Sequence, residues 1–566
     1  MPRILAILFA LSCVILGTAF AQTYPGGFIE QQASQTRVRY TPAQIAAFMP
    51  ATRNAFNFPA PYNSRGVRLT QPSDCPSNAD CVNYIGYSYW ANMNAHQADP
   101  DILIYVGFDA RRGGTGINLI RFNKASELIT PLGPIFPVGS NYRNMDCTSG
   151  CYFSGTLSTK LYFVDPLIGA SKVLTRYDVL AQTFETVWDI RDGTLAGCSV
   201  SSCPYTIYQP HSSKDDNFHS FTLRDINGNK LGCLVKKTSA PTQVFFYARV
   251  KDFDECMLDK SGRWTVNLEY TASAGDFEPT LNRFFDNTTG AEVNTVLGPS
   301  NTLGHSDTGY DYIVGADNYY PAPFDRNSTI YYVFPSDRGG AIHQNIDLNT
   351  NMMNHPTHLN ALPGLPQRLR MVCGSDFGSV ATRQDELVCV RMDASYRQLI
   401  VAPLLTNALG TGGTWQAGTY ATQPKGNIDV TGRYFIWSAN LGTSRMDIFL
   451  TKIPSDKFDD VQNIPAAPSR DIAVVIANLI NQLQAPRGLT LTFFEGIWLV
   501  ITLIKYRAKL VWAYRKAGQK AFEYYWRYKV RRWLKAAPIM IEETFTVDLH
   551  AQRSYAKARH HGDPTS

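Results

Sequence analysis

The stretch Asp259–Trp264 (DKSGRW) closely matches Asp429–Tyr434 (DVTGRY), with the same Asp, Gly and Arg and an aromatic residue at the end of both. In both copies the Asp side chain can accept backbone N–H groups, the Gly suits a turn position with positive φ, and the aromatic residue begins the next apolar run. Looser versions occur at Asp225–Gly228 (DING) and Asp307–Tyr310 (DTGY). The motif therefore predicts tight turns that each lead into a β-strand.

The spacing of these turns predicts a repeated sheet. Gly262 and Gly309 are 47 positions apart, close to the length of one four-stranded propeller blade. Gly309 and Gly432 are 123 positions apart, which leaves room for two blades and an insertion. Short β-rich runs and turn clusters alternate over the same region, without a long helical periodicity. We therefore predict an all-β protein with a six- to eight-bladed β-propeller over residues 95–465; sandwich domains in series are the alternative.

Several segments resemble parts of secreted bacterial β-propeller proteins of the WD40-like/TolB-like group. These segments are His305–Tyr312, Gly315–Asn318, His358–Ala361, Cys373–Ser375 and Pro424–Phe449. The resemblance covers roughly residues 95–455 and is strongest after residue 300. It implies a propeller fold and export, and it carries no catalytic residue that could be transferred. Residues beyond about 465 depart from the pattern.

The start of the chain has the three parts of a secretory signal. Arg3 precedes an apolar run from Ile4 to Leu16, and Ala19-Phe20-Ala21 follows as an A-x-A cleavage site. A lipoprotein signal at Cys13 fits less well, because the apolar run continues past that residue. We predict a signal peptide over residues 1–21, an N-terminal segment over 22–94 that leads into the propeller, and an extracytoplasmic location, periplasmic or at the cell surface.

The ten cysteines beyond the signal fall as close neighbours along the chain. An even number of neighbouring Cys in an exported chain is typical of local disulfides, whereas the spacings do not fit a zinc ribbon or finger. The neighbours are Cys75/Cys81, Cys147/Cys151, Cys198/Cys203, Cys233/Cys256 and Cys373/Cys389. Two Asn-x-Ser/Thr sequons, at Asn287 and Asn327, would mark surface loops in a host that glycosylates.

Polar residues precede several strands at positions that would ring the central channel of a propeller. The candidate channel ligands are His305, Asp307, His358, Asn360, Asn427 and Asp429. Imidazole and carboxylate from different blades could hold a divalent metal, Ca or Mn, as His side chains hold a channel metal in some propeller polysaccharide lyases. The alternative, which we favour, is that Asp and Asn cap their own turns and His satisfies buried carbonyls.

No familiar catalytic motif is present in the sequence. There is no H-E-x-x-H, G-x-S-x-G or G-x-x-x-x-G-K-[ST] stretch, which argues against zincin metalloproteases, α/β-hydrolases and P-loop NTPases. Asp225–Asn229 has oxygen ligands at alternate positions but lacks the closing Glu of a calcium loop, so a turn is expected there. Gly113–Gly116 lies between two β-rich runs and predicts a hairpin turn.

The last hundred residues differ from the rest in charge. Residues 505–566 carry 14 Lys and Arg against 5 Asp and Glu, and the remainder of the chain has no basic surplus. We predict a linker and short helix over 466–487, a possible transmembrane or interfacial helix over 488–504 and a basic aromatic helical tail over 505–566. The candidate membrane-contact residues are the Trp498-Leu499 pair, Lys505, Arg507, Lys509, Trp512, Arg515 and Lys516. The alternative is a helical hairpin packed on protein.

These features lead to one favoured function and two alternatives. We expect a non-enzymatic exported propeller that binds a protein or polysaccharide ligand and is tethered to membrane lipid by its C-terminal region. The first alternative is a propeller polysaccharide lyase or hydrolase with a divalent metal in the channel. The second is a structural envelope protein. Nucleic acid is not an expected partner, because the basic surplus is confined to the tail of an exported chain.

Overall fold

A computed structural model describes most of residues 26–458, all within the compact unit Ala21–Asp460. The gaps in the described part are residues 31–36, 79, 84–89, 95–98, 138, 143–144, 146, 148–149, 168–169, 274–275, 279–282, 294–304, 317–327, 334–341, 346–370, 377–383, 392–397, 407–423, 430–431 and 444.

The described residues form seven antiparallel sheets in which neighbouring strands of the chain pair in order. Sheet 1 contains Asp101–Phe108, Gly116–Asn123 and Ile129–Pro134, and sheet 2 contains Tyr152–Phe153, Lys160–Val164, Val173–Asp178 and Thr183–Asp189. Sheet 3 contains Tyr205–Ser212, Phe218–Asp225, Lys230–Lys237 and Val244–Ala248, and sheet 4 contains Asp252–Leu258, Trp264–Ser273, Asp276–Glu278, Arg283–Asp286 and Ala291–Val293. Sheet 5 contains His305–Gly309, Tyr312–Ala316, Ser328–Val333 and Ile342–Asn345, sheet 6 contains Met371–Asp376, Glu386–Arg391 and Gln398–Pro403, and sheet 7 contains Asn427–Ile428, Tyr434–Ala439 and Asp447–Lys452.

Both faces of a sheet are buried against its neighbours, which explains why the strands read as apolar runs and not as a strict alternation. In the first strand of sheet 1, Ile102 and Ile104 pack with sheet 7, whereas Leu103 and Tyr105 pack with sheet 2. Further apolar clusters join sheets 2 and 3, 3 and 4, and 6 and 7. This succession of sheets packed face to face is a β-propeller, as the recurrent turn predicted.

The N-terminal segment adds strands to the last two sheets. Phe28–Glu30 pairs with the third strand of sheet 6, and Arg65–Arg68 pairs with the third strand of sheet 7, with Asn54–Asn57 outside it. Val82 and Met93 each form an isolated bridge with the first strand of sheet 1. The segment predicted to lead into the propeller thus contributes to three of its sheets, and the start of the described chain closes the ring onto its end.

Two buried carboxylates fasten this closure. Glu386, in sheet 6, accepts hydrogen bonds from Arg37 Nε and Nη2 at 2.5 and 2.8 Å and from the Tyr62 hydroxyl. Asp447, in sheet 7, is fully buried and accepts from Arg68 Nη2 and Thr70 Oγ1, each at 2.7 Å. Segments more than 300 positions apart are therefore joined by charge-assisted hydrogen bonds.

The structure joins the same neighbouring cysteines that the sequence pairs. The five disulfides are Cys75–Cys81, Cys147–Cys151, Cys198–Cys203, Cys233–Cys256 and Cys373–Cys389. Four of them close loops or tie adjacent strands within one region, and Cys233–Cys256 joins sheet 3 to sheet 4. Several disulfides in one chain indicate a protein of an oxidising, extracytoplasmic compartment.

Helix is scarce in the described part of the chain. The one α-helix there is α1, Pro42–Phe48, which begins at a Thr41–Gln44 capping box. No helix among the described residues is long and apolar enough to cross a membrane. The predicted signal peptide, the predicted span over 488–504 with the preceding linker, and the basic tail with all its membrane-contact candidates lie outside the described residues.

Candidate functional site

The recurrent turn of sheet 4 joins its first and second strands at the inner side of the sheet. Asp259 is fully buried; its Oδ1 accepts the N–H of Trp264 at 2.8 Å, and its Oδ2 accepts the N–H of Ser261 at 2.9 Å. Gly262 supplies the positive φ of 77°. Burial raises the pKa of Asp259 to about 6, and the N–H groups that it accepts oppose that rise.

The same turn in sheet 7 contains two of the predicted channel ligands. Asp429 Oδ1 accepts the N–H groups of Arg433 and Tyr434 at 2.8 and 2.6 Å. Asn427 lies two residues earlier in the first strand, and its Nδ2 donates to the backbone oxygen of Trp90 at 2.9 Å. Both side chains are buried, and both use these atoms to hold the backbone of the propeller.

Sheet 3 has this turn with a different sequence. Ser213 takes the place of the Asp, because its Oγ accepts the N–H of Phe218 at 2.9 Å and its own N–H donates to the oxygen of Phe218. Asp216 takes the place of the Gly, with a φ of 56°. Ser and Asp can fill these two positions because a hydroxyl can accept the same N–H and an Asp tolerates the left-handed region.

Sheet 5 has the turn in a register that differs from the one the sequence suggested. Thr308 pairs with Ile313 across the turn, as Asp259 does with Trp264, and the left-handed residue is Asp311, with a φ of 63°. The looser copy at Asp307–Tyr310 is therefore one position out of register with the turn itself. The other loose copy, at 225–228, joins the second and third strands of sheet 3 and lies outside this set of turns.

The turns of neighbouring sheets are hydrogen-bonded to one another. Lys214 N–H donates to the backbone oxygen of Lys260, and Lys260 N–H donates to that of Gly309, each at 2.8 Å. Asp259 Oδ2 also accepts the N–H of Asp311, in sheet 5, at 3.0 Å. The turns of sheets 3, 4 and 5 thus form a continuous backbone band, and Asp259 is one of its structural members.

The predicted ligands of sheet 5 lie in its first strand. His305 begins the strand, and Asp307 is buried within it. Burial raises the pKa of Asp307, against the opposing charge of Lys260 from sheet 4. His358 and Asn360 lie outside the described residues. Among the residues that the structure does describe, no three His, Cys, Asp or Glu side chains lie close enough together to hold a metal ion.

Trp90, which sequence reasoning did not single out, forms a junction between inner strands. Its backbone oxygen accepts from Asn427 of sheet 7, and its Nε1 donates to the oxygen of Pro210 in sheet 3 at 2.9 Å. Its ring lies 6.0 Å from the ring of buried His211. Because one residue reaches both sheets, Trp90 links their first strands across the inner side of the propeller. Its sequence surroundings contain no motif that would have indicated this role.

Asn92 is an unusual member of this inner group. Its side chain is completely buried, and neither its Nδ2 nor its Oδ1 has a hydrogen-bond partner in the part of the chain that the structure describes. A buried amide that lacks partners costs free energy unless water or a ligand satisfies it. Asn92 therefore adds an unused donor and an unused acceptor two residues from Trp90.

A buried chain of hydroxyl and imidazole groups joins sheets 2 and 3. Tyr152 and Ser212 share a hydrogen bond of 2.7 Å, and Ser212 Oγ and His219 Nδ1 share one of 2.6 Å. Burial, followed by the charge of Arg176, lowers the pKa of His219 to about 3. The imidazole is therefore neutral at physiological pH, and the chain serves as an internal brace between the two sheets.

The sequon at Asn287 does not mark a surface loop. Its side chain is 1% exposed; Nδ2 donates to the oxygen of Gly262 at 2.9 Å, and Oδ1 accepts from the hydroxyls of Tyr247 and Thr265, each at 2.9 Å. The amide nitrogen that a glycan would need is thus a structural donor to the recurrent turn. The second sequon residue, Asn327, lies outside the described residues.

The solved structures to which this chain is similar include propeller proteins, each with a TM-score below 0.5. It is similar to an oligogalacturonate lyase solved in complex with manganese, at 10% identity and a TM-score of 0.47 over 72% of this chain and 98% of that one. It is also similar to TolB from Acinetobacter baumannii, at 14% identity and a TM-score of 0.30 over 57% of this chain and 64% of that one. A third similar structure is the propeller domain of the Trilobed protease from Pyrococcus furiosus, at 9% identity and a TM-score of 0.34 over 67% of this chain and 98% of that one. No protein-family model and no curated protein matches the chain. The similarity concerns the fold alone, so function must be argued from the residues.

Proposed function

We propose that this protein is an exported seven-bladed propeller that acts as a binding or assembly module and is tethered to a membrane by its C-terminal region. The disulfides and the predicted signal peptide support export. The apolar run over 488–504, followed by a strongly basic aromatic tail, supports attachment to anionic lipid with the basic flank on the cytoplasmic side.

One observation favours the binding role over a metal enzyme: candidate channel ligands are used as scaffold. Asn427 holds the backbone of Trp90, and Asp429 holds two N–H groups of its own turn. A carboxylate oxygen that accepts backbone N–H groups, as Asp429 Oδ1 does, is less available to a cation. The inner strands therefore fit a recognition scaffold whose rigidity comes from these bonds.

Membrane attachment can be tested on the full chain expressed with its own leader in a bacterial host. We expect the protein to stay in the membrane fraction after high-salt washing. Protease added to the extracytoplasmic side of the inner membrane should digest the propeller. Replacing Lys505, Arg507 and Lys509 by Gln should weaken attachment or disturb the orientation, because it removes the basic flank next to the apolar run.

The control for this experiment removes the same number of positive charges from the propeller. It replaces three exposed basic residues by Gln, namely Arg111, Arg249 and Lys457. This variant should fractionate like the wild type, because its charges lie far from the tail in the chain. Recovery of the wild-type chain as a soluble extracytoplasmic protein would contradict the tether.

The rival lyase or hydrolase makes a separate prediction. It requires about one divalent cation per chain, measured by elemental analysis of the full chain dialysed without chelator, and loss of that cation in His305→Ala and His358→Ala. The binding module requires neither. A stoichiometric Mn or Ca that disappears in both variants would overturn the binding role and favour the enzyme.

A further inference from the structure

Arg224, in the second strand of sheet 3, has no acidic partner among the described residues. Its guanidinium carbon lies 3.7 Å from the centroid of the Tyr208 ring, and its Nε is buried without a hydrogen bond to any described residue. Every other buried or partly buried arginine whose side chain the structure describes has a carboxylate oxygen within 4.0 Å. Arg224 therefore stands apart from the arginines that hold the fold together.

An unpaired guanidinium in a partly buried position carries a desolvation cost. Stacking on Tyr208 recovers some of that cost and fixes the plane of the guanidinium. The N–H groups at the edge of that plane still need acceptors, and a planar fork of donors matches a carboxylate or phosphate group better than it matches water. The arrangement is thus prepared for an oxyanion that the described chain does not itself supply.

The backbone beneath this pair is irregular and braced. A bulge follows Tyr208, and Gln209 within it has a φ of 49°. The Gln209 side chain accepts from Thr222 Oγ1 at 2.9 Å and donates to Glu255 Oε2 of sheet 4 at 3.1 Å. Bulges and residues in sparsely populated backbone regions occur often beside binding sites, because they redirect side chains.

The carboxylates nearest in sequence and on the facing strand have donors of their own. Asp225 accepts from Asn229 Nδ2 at 2.8 Å and from backbone N–H groups of its turn, Asp254 pairs with Lys230 at 3.3 Å, and Glu255 accepts from Gln209. The Cys233–Cys256 disulfide also ties sheet 3 to sheet 4. The edge between the two sheets is therefore fixed, and the described carboxylates named above lie in other pairs and not with Arg224.

We propose that Arg224, held flat by Tyr208, binds an oxyanion group of a small ligand, a carboxylate or a phosphate, at the edge between sheets 3 and 4. This inference rests on the proposed recognition role, because it gives the binding module a ligand class. It requires no metal and no covalent step.

The test is isothermal titration of the full chain with sodium acetate and, separately, with inorganic phosphate, in chloride buffers of matched ionic strength. Arg224→Gln should weaken binding at least about tenfold, because it removes a charge-assisted fork. Arg224→Lys keeps the charge without the fork and should also weaken binding. Arg433→Gln is the matched control, since Arg433 is an exposed arginine of sheet 7; it should bind like wild type.

The remaining outcomes separate the sources of the oxyanion and protect the test against misfolding. Binding of acetate alone supports a carboxylate ligand, and binding of phosphate alone supports a phosphate ligand. Tyr208→Phe should preserve binding and Tyr208→Leu should weaken it, which decides the matter if Arg224→Gln does not fold. Equal binding by wild type and Arg224→Gln, or no binding of either anion to wild type, would overturn this site while leaving the membrane-attachment experiment unaffected.

Discussion

Sheets 3 to 5 and sheets 6 and 7 are held together in different ways. Sheets 3 to 5 follow one another in the chain, and their turns are joined by backbone bonds such as Lys214 N–H to the oxygen of Lys260. Sheets 6 and 7 receive strands from the N-terminal segment, and that junction depends on Glu386 and Asp447 with their arginine partners. The first region uses backbone bonds between neighbouring turns, with one buried carboxylate, Asp259, among them. The second uses buried charges contributed by distant segments.

The difference teaches where the propeller is sensitive to single changes. A backbone bond between turns survives most side-chain substitutions. A buried ion pair loses much more when one partner is removed, because the other charge stays buried without compensation. We therefore expect the ring to open first at its closure between the N-terminal strands and the last two sheets.

The largest expected effect is at Asp447, which is fully buried and also accepts from Arg445 Nη2 at 2.7 Å. Asp447→Asn leaves Arg68 and Arg445 beside a neutral group. We expect it to lower the free energy of unfolding by about 3–5 kcal/mol, measured by guanidinium unfolding with the disulfides intact.

The matched control is Glu185→Gln, which breaks the pair with Arg176 on a side chain that is 53% exposed. Surface pairs of this kind contribute less than about 1 kcal/mol. A loss in Asp447→Asn no larger than the loss in Glu185→Gln would contradict the idea that buried charges hold the closure.

A smaller effect is expected in the band of turns. Gly262 has a φ of 77°, and a Cβ added there would lie 2.5 Å from Cδ2 of Phe218 in sheet 3. Gly228 has a similar φ of 82°, but a Cβ there would meet no atom within 4 Å. Gly228→Ala should cost about 1–2 kcal/mol of backbone strain, and Gly262→Ala should cost more because Phe218 must also move.

Comparing the two alanine variants by chemical unfolding isolates the packing between sheets 3 and 4 from the backbone strain. If both variants lose the same stability, the turn of sheet 4 does not depend on its close approach to Phe218, and the band of turns is looser than the hydrogen bonds indicate.

The sequence predicted the recurring turn and the propeller because both are local: one Asp, one Gly and one aromatic residue set a turn and its following strand. It did not predict that Ser213 takes the position of the Asp in sheet 3, since a hydroxyl can accept the same N–H, or that the turn of sheet 5 begins at Thr308. It also did not predict the strand at Phe28–Glu30, because only its pairing with residues about 370 positions away defines it. Local chemistry can be read from one segment, and long-range pairing cannot.

The same distinction applies to the candidate site. Asn427 and Asp429 were predicted as channel ligands because they precede a strand, and that role stays a prediction. Their use as scaffold, and the junction at Trp90, depend on which sheets meet on the inner side. The special position of Arg224 was not predictable from the sequence. It differs from the other buried arginines only because no described carboxylate pairs with it, and the sequence does not show which side chains pair.

The last effect concerns pH and Asp259, the acid of the band of turns. Burial raises its pKa to about 6 in the folded state, above the ordinary value of 3.8. The folded protein therefore binds this proton more readily than the unfolded chain does, so the group favours folding increasingly as the pH falls from about 6 towards 4, by at most about 1.4 kcal/mol per pH unit.

Asp259→Asn should remove that dependence while losing stability at every pH, because its amide would face the N–H groups of Ser261 and Asp311. Guanidinium unfolding of both proteins between pH 4 and 7 checks this; parallel pH profiles would mean that Asp259 titrates normally, and that the turns of sheets 4 and 5 are more open to water than their hydrogen bonds require.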